Sequence, residues 1–162
     1  MLIDIKNLTK ENNLEVKLFS EIVVPVQGGT FPCKCDVSGV FSLCDDICTF
    51  EGKIIAGLSL NCDLCLRSFD KELCIDMTEG YIENGDLEKE LWEFSDKTID
   101  LKPAVLANIV SHIPMRLLCD ETCKGLCPKC GQNLNEQSCN CDKDYINPVF
   151  EKLKTLLDDK EV

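Results

Sequence analysis

The stretch Leu58–Leu73, "LSLNCDLCLRSFDKEL", decides between two architectures. A Cys-x-x-Cys pair, Cys62 and Cys65, sits at its centre. A thioredoxin-like redox pair needs its first cysteine at a helix N-terminus, in a βαβ setting, so that the helix end depresses the thiol pKa. These flanks read instead as strand, tight turn and strand. The pair belongs to a hairpin, and its spacing is that of a metal-binding knuckle.

Working outward, the neighbouring segments are also extended. "KIIAGLSLNC" (Lys53–Cys62) and "ELCIDMTEGYI" (Glu72–Ile82) flank the pair. "LEVKLFSEIVVPV" (Leu14–Val26) alternates apolar and polar residues, then turns continuously apolar with β-branched residues. "FPCKCDVSGVF" sets Phe31, Cys33, Cys35 and Val37 on one face. Gly28, Gly29, Gly39 and Gly52 read as turns or bends between strands. "ENGDLEKELWEFSDK" has Leu87, Leu91 and Phe94 near helical spacing and reads equally as a loop. "DLKPAVLANIVSHIP" is helical: Asp100 or Lys102 lies near its N-cap, Pro103 suits its first turn and Pro114 closes it. Val105, Ile109 and Val110 share its apolar side. In the tail, "YINPVFEKLKTLL", Asn147 is an N-cap, and Phe150, Leu153 and Leu157 form a helical stripe.

The fold expected is therefore α+β. A strand-rich antiparallel sheet or barrel-like body, with a few helices, carries a C-terminal zinc-ribbon-like cysteine module. The expected division is a body over 1–115 ending in a helix, a cysteine-rich metal-binding module over 116–141, and a C-terminal amphipathic helix over 142–162.

That module, "LCDETCKGLCPKCGQNLNEQSCNC", holds Cys119, Cys123, Cys127, Cys130, Cys139 and Cys141. A disulfide framework is disfavoured, because the chain has 13 cysteines and cannot pair them all. No basic segment followed by an apolar run opens the chain, so the compartment expected is the reducing cytoplasm. No apolar run approaches the roughly 20 residues of a membrane span.

Zinc takes four soft ligands in a tetrahedron. "CPKCG" supplies two from one turn, with a glycine where the backbone curls beneath the metal, and "CNC" supplies two more after a polar, turn-rich hairpin. Cys127, Cys130, Cys139 and Cys141 are the first choice for one Zn2+ site. Cys119, Cys123, Cys62 and Cys65 would make a second, joining body to module. The spacing leaves alternatives open: Cys119 or Cys123 replaces Cys139 or Cys141, or both are spare thiols. Cys33, Cys35, Cys44, Cys48 and Cys74 fit core or half-buried thiols.

Formal net charge is −12, and Asp70–Asp100 is densely acidic. Arginine occurs only at Arg67 and Arg116, which is poor material for a broad nucleic-acid surface. His112 is the single histidine, on an apolar helix, and reads as a packed or surface side chain. Neither a Walker loop nor a nucleophile elbow is present. An enzyme is not expected. A hydrolase would need an open metal position with a non-cysteine ligand, whereas all-cysteine sites are normally closed.

Three blocks, "CDLCLRSF", "IDLKPAVLANIVSHIPMRLLC" and "CKGLCPKCGQNLNEQSCNC", resemble in that order the bacterial YceD family. The resemblance implies a cytosolic, non-enzymatic factor in production or stability of large-subunit ribosomal RNA. It matches the family at Cys62, Cys65, Cys119, Cys123, Cys127, Cys130, Cys139 and Cys141. Such factors are usually basic, so the acidic surface points to a basic ribosomal protein or assembly factor as partner. RNA contact is expected only locally, at Arg116, Lys124 and Lys129. The competing reading is a thiol-redox or metal-handling protein that uses its Cys-x-x-Cys pairs directly.

Overall fold

Alternation of buried and exposed side chains builds one sheet. In the computed structural model, which describes residues 1–26, 29–83 and 91–141, strand β1 spans Leu2–Asp4, β2 Leu14–Val26, β3 Gly29–Cys44, β4 Ile47–Asn61 and β5 Ser68–Glu83. Short strands β6 (Trp92–Phe94) and β7 (Thr98–Asp100) precede helix α1 (Lys102–His112). Strands β2-β3-β4-β5-β6 form a five-stranded sheet, and β1 pairs with β7. The long strands are joined as antiparallel hairpins, β3 to β4 through the two-residue Asp45–Asp46 turn. Strand β6 joins β5 in parallel, so the sheet is mixed.

One face of this sheet is the core. Cys48, Phe50, Ile54, Ala56, Leu58 and Leu60 of β4 all point into it, as do Cys33, Cys35, Val37 and Phe41 of β3. Helix α1 packs against both β2 and β5, so the sheet curls around it to bring separated strands to the same helix. Ala104, Val105 and Ile109 are fully buried there. Each branched side chain so buried contributes about 1.5–3 kcal/mol. Asp100 Oδ1 accepts the Lys102 backbone N–H at 3.0 Å, close to the N-terminal position expected for it.

Several expectations are corrected. The curled sheet does not close into a barrel among the described residues, where β2 and β6 remain its edges. One helix is present among those residues, and the expected helix over 142–162 lies outside them, as do Gly28 and Leu87. Phe94 is in a strand rather than a helix or loop, because it extends the sheet beside β5. Gly39 and Gly52 are strand interiors, paired directly with each other. A Cβ at Gly39 would lie 2.6 Å from the Phe50 ring, so the ring occupies the space that side chains would fill. Val110 is 41% exposed, turned away from Val105 and Ile109. Cys33, Cys35 and Cys48 are buried as expected, but Cys44 and Cys74 are exposed. Burial pushes the Cys33 and Cys48 thiols up to about 11, which leaves them unreactive. No helix among the described residues is long and apolar enough to cross a membrane.

Candidate metal centres

The turn between β4 and β5 is built around Cys62 and Cys65. The Leu66 N–H donates to the Cys62 carbonyl at 2.9 Å, and the Cys62 N–H to the Arg67 carbonyl at 2.9 Å. This closure puts Leu66 at φ 59, an unfavourable region for a side chain with a Cβ. The same turn recurs at the C-terminal end. There the Gly131 N–H donates to Cys127 O at 2.8 Å, and the Cys127 N–H to Gln132 O at 2.8 Å, with Gly131 at φ 72. The glycine in "CPKCG" supplies the conformation at no steric cost.

The other ligands come by different routes. Asp63 clasps the returning chain in two directions: its N–H donates to Leu117 O, and its Oδ2 accepts the Leu117 N–H, both at 2.7 Å. That clasp delivers Cys119 and Cys123 to the central turn. Cys65 and Cys119 sulfurs are 3.6 Å apart, and those of Cys62 and Cys123 are 3.8 Å apart. Cys127, Cys130, Cys139 and Cys141 form the second group, and within each group all four sulfurs lie within 4.8 Å of one another. A tetrahedral zinc about 2.3 Å from four thiolates sets neighbouring sulfurs about 3.8 Å apart, so the central donor set fits that ion. Of the open alternatives, the arrangement that gathers two separate sets of four uses every thiol of the module.

Each cage contains one sulfur prepared as a thiolate. Burial opposes ionisation of Cys62, but the N–H groups of Cys119, Cys65 and Leu64 outweigh it and bring its pKa down to about 6. At Cys127 the N–H groups of Cys130 and Lys129 have the same result, about 6. Cys119 is pushed up to about 12 by burial and by neighbouring thiols. Cys141 is likewise raised to about 12, through the Cys130 thiol first and then burial. Low- and high-pKa thiols packed together are what a cation would resolve, since bound metal holds all its cysteines deprotonated.

The connection between cages is short and specific. The Leu126 N–H donates to Leu64 O at 3.0 Å, and Gly125 at φ 71 lies so close that a Cβ would meet that carbonyl at 3.0 Å. Asn135 braces the segment: its Nδ2 donates to the Cys123 sulfur at 3.3 Å, and its Oδ1 accepts the Lys124 N–H at 2.8 Å. Asp63, Gly125 and Asn135 were not among the residues singled out from sequence. The glycine preceding "LCPKC" is the one signal that could have found any of them. The zinc-ribbon hairpin reduces to a single antiparallel bridge, Leu126 to Asn133. Arg116, Lys124 and Lys129 are all exposed along this segment. His112 is exposed on the helix, its Nδ1 2.8 Å from Asn108 O, and it belongs to neither group of four cysteines.

Fold and site together define a strand-rich protein with two four-cysteine groups, either of which could hold a metal ion. The family model described as "Large ribosomal RNA subunit accumulation protein YceD" matches residues 50–157, and the chain belongs to that family. A curated relative from Arabidopsis thaliana, "Large ribosomal RNA subunit accumulation protein YCED homolog 1, chloroplastic", is 38% identical over 60 residues. That match covers 37% of this chain and 19% of the relative's length. No solved structure matches.

Proposed function

We propose that this protein is a non-enzymatic factor supporting accumulation of large-subunit ribosomal RNA, acting as a protein-binding adaptor in the cytoplasm. Membership of the YceD family carries this reading. Zinc is the ion assigned to both cages, as a structural cross-link that four cysteines leave without an open position. Cys62, Cys65, Cys119 and Cys123 would hold one ion, and Cys127, Cys130, Cys139 and Cys141 the other. The cleft beside the central cage, about 470 Å3, has Asp63 as its one ionisable lining residue, and that carboxylate is engaged by Leu117.

With a net charge of −12, the adaptor's partner is a basic ribosomal protein or assembly factor, and RNA contact is confined to Arg116, Lys124 and Lys129. The test is affinity capture of full-length tagged protein, followed by assay for large-subunit precursor particles and ribosomal proteins. Capture of a basic ribosomal protein that survives nuclease treatment is the expected result. Tight RNA binding by the isolated protein, with a steep salt dependence, would replace the partner-first picture.

The depressed pKa values of Cys62 and Cys127 favour a second reading, thiol-redox or metal-handling chemistry. It requires either metal that leaves readily or reversible disulfide formation at cytosolic potentials. Metal retained through prolonged chelation, with no disulfide formed in a glutathione buffer, rules it out.

A further inference from the structure

Strand β2 is an edge. It pairs with β3 along its 13 residues and, among the described residues, with nothing on its other side. An open edge of that length is a template for another strand. Its exposed face carries Glu15, Lys17, Phe19, Glu21 and Val23, and Phe19 and Val23 are 63% and 62% exposed. Phe19 and Val23 therefore offer apolar surface along an edge able to accept a further strand.

The order of these residues is self-complementary. An antiparallel copy of β2, set with Phe19 opposite Phe19, brings Lys17 opposite Glu21 twice by two-fold symmetry. On the core face the same register opposes Val16 to Ile22 and Leu14 to Val24, which are apolar pairs. Other registers lose this match. Centring on Lys17 or Glu21 opposes like charges, centring on Leu18 opposes Glu15 to Glu21, and centring on Ser20 sets Phe19 opposite Glu21 and Lys17 opposite Val23 with no opposite-charge pair. The Phe19 register keeps both ion pairs and, on the exposed face, mismatches only Glu15 with Val23. A half-step offset sets core-facing residues against solvent-facing ones. The ladder also ends at a suitable place. It runs from Leu14 to Val24, so Pro25, which has no N–H to donate, falls just outside it. Within the chain Lys17 has no ion pair among the described residues, and Glu21 has only a long one to Lys34 at 3.9 Å.

We propose that β2 is a homodimer interface, in which two copies join edge to edge, antiparallel about Phe19, and continue their sheets across the two-fold axis. The Phe19 pair is the apolar centre, and the two Lys17–Glu21 pairs set the register. The proposal is independent of the metal and of any role in ribosomal RNA accumulation.

Sedimentation equilibrium of the full-length, metal-replete protein, with charge-swap variants, tests it. The wild type is expected to be a concentration-dependent dimer. Lys17→Glu and Glu21→Lys each turn both ion pairs into repulsions and should weaken association at least about tenfold. The double variant Lys17→Glu/Glu21→Lys restores complementarity and should dimerise again. The two single variants, mixed, should form a heterodimer. Because both substituted positions are exposed, folding is checked by circular dichroism and rescue separates pairing from misfolding. A wild-type protein that stays monomeric overturns the proposal. So does a dimer indifferent to the single substitutions, or one that the double variant fails to restore.

Discussion

The two cysteine turns are near copies locally and opposites in what they tie together. Both close with a hydrogen bond from the fifth residue to the first cysteine's carbonyl, at 2.9 Å in one and 2.8 Å in the other. The central turn, Cys62–Leu66, caps the β4–β5 hairpin and meets ligands 54 and 61 residues away along the chain. The terminal turn, Cys127–Gly131, meets its partner cysteines eight and ten residues further on. The central pair is buried, whereas Cys130 is exposed. One local motif therefore serves as a staple between distant segments in one setting and as the nucleus of a small loop in the other. The difference lies in what is tied, because loop-closure entropy itself grows slowly with length.

The largest expected break in this comparison comes from Cys62→Ser/Cys65→Ser. Metal content should fall from two equivalents to one, and the main unfolding transition should lose about 4 kcal/mol, or about 10 °C. Paired metal analysis and calorimetry measure both. An unchanged transition would mean that the sheet holds the returning chain without the cage.

Gly125→Ala should cost about 2 kcal/mol, since a Cβ there meets Leu64 O at 3.0 Å and the backbone is at φ 71. It strikes the link between the turns, so a chelator should then strip both cages faster. Acceleration at one cage alone would show the two to be energetically separate.

Cys139→Ser/Cys141→Ser should also remove one metal equivalent, yet shift the main transition by less than about 1 kcal/mol. Calorimetry again decides, and a large shift would erase the proposed asymmetry.

The last contrast concerns pH and is read at single sulfurs. In metal-free protein Cys62 and Cys127 titrate near 6, below the ordinary thiol value of 9.0. A depressed folded pKa contributes stability that is fully present above 9.0 and is lost as pH falls through about 6. Thiolate ultraviolet absorbance should therefore show two early-ionising sulfurs, one removed by Cys62→Ser and the other by Cys127→Ser. If one substitution removes both, the cages titrate as a single unit.

The strands were legible because burial on one face leaves a two-residue period, and β2 follows its alternation from Leu14 to Val26. Less legible was everything set by contact across the sheet. Gly39 and Gly52 look like turn residues in one dimension, but a ring from Phe50 lies over them. Val110 looks equivalent to Ile109 until the sheet's curvature decides which side of α1 is covered. Likewise Trp92–Phe94 is too short for its period to distinguish strand from helix, and only pairing with β5 settles it.

Sequence alone marked out the candidate donors and the turn chemistry of the two cysteine groups. Eight cysteines, a Cys-x-x-Cys at each turn and Gly131 at the curl are local facts, set by side-chain type and by backbone sterics over about five residues. Only the tertiary structure decided which four sulfurs meet. Cys119 and Cys123 carry no mark in their spacing that assigns them to Cys62 and Cys65. That pairing follows from the hairpin tip, the helix reversing the chain and the Asp63–Leu117 clasp, which together bring segments over 50 residues apart to within a few ångströms.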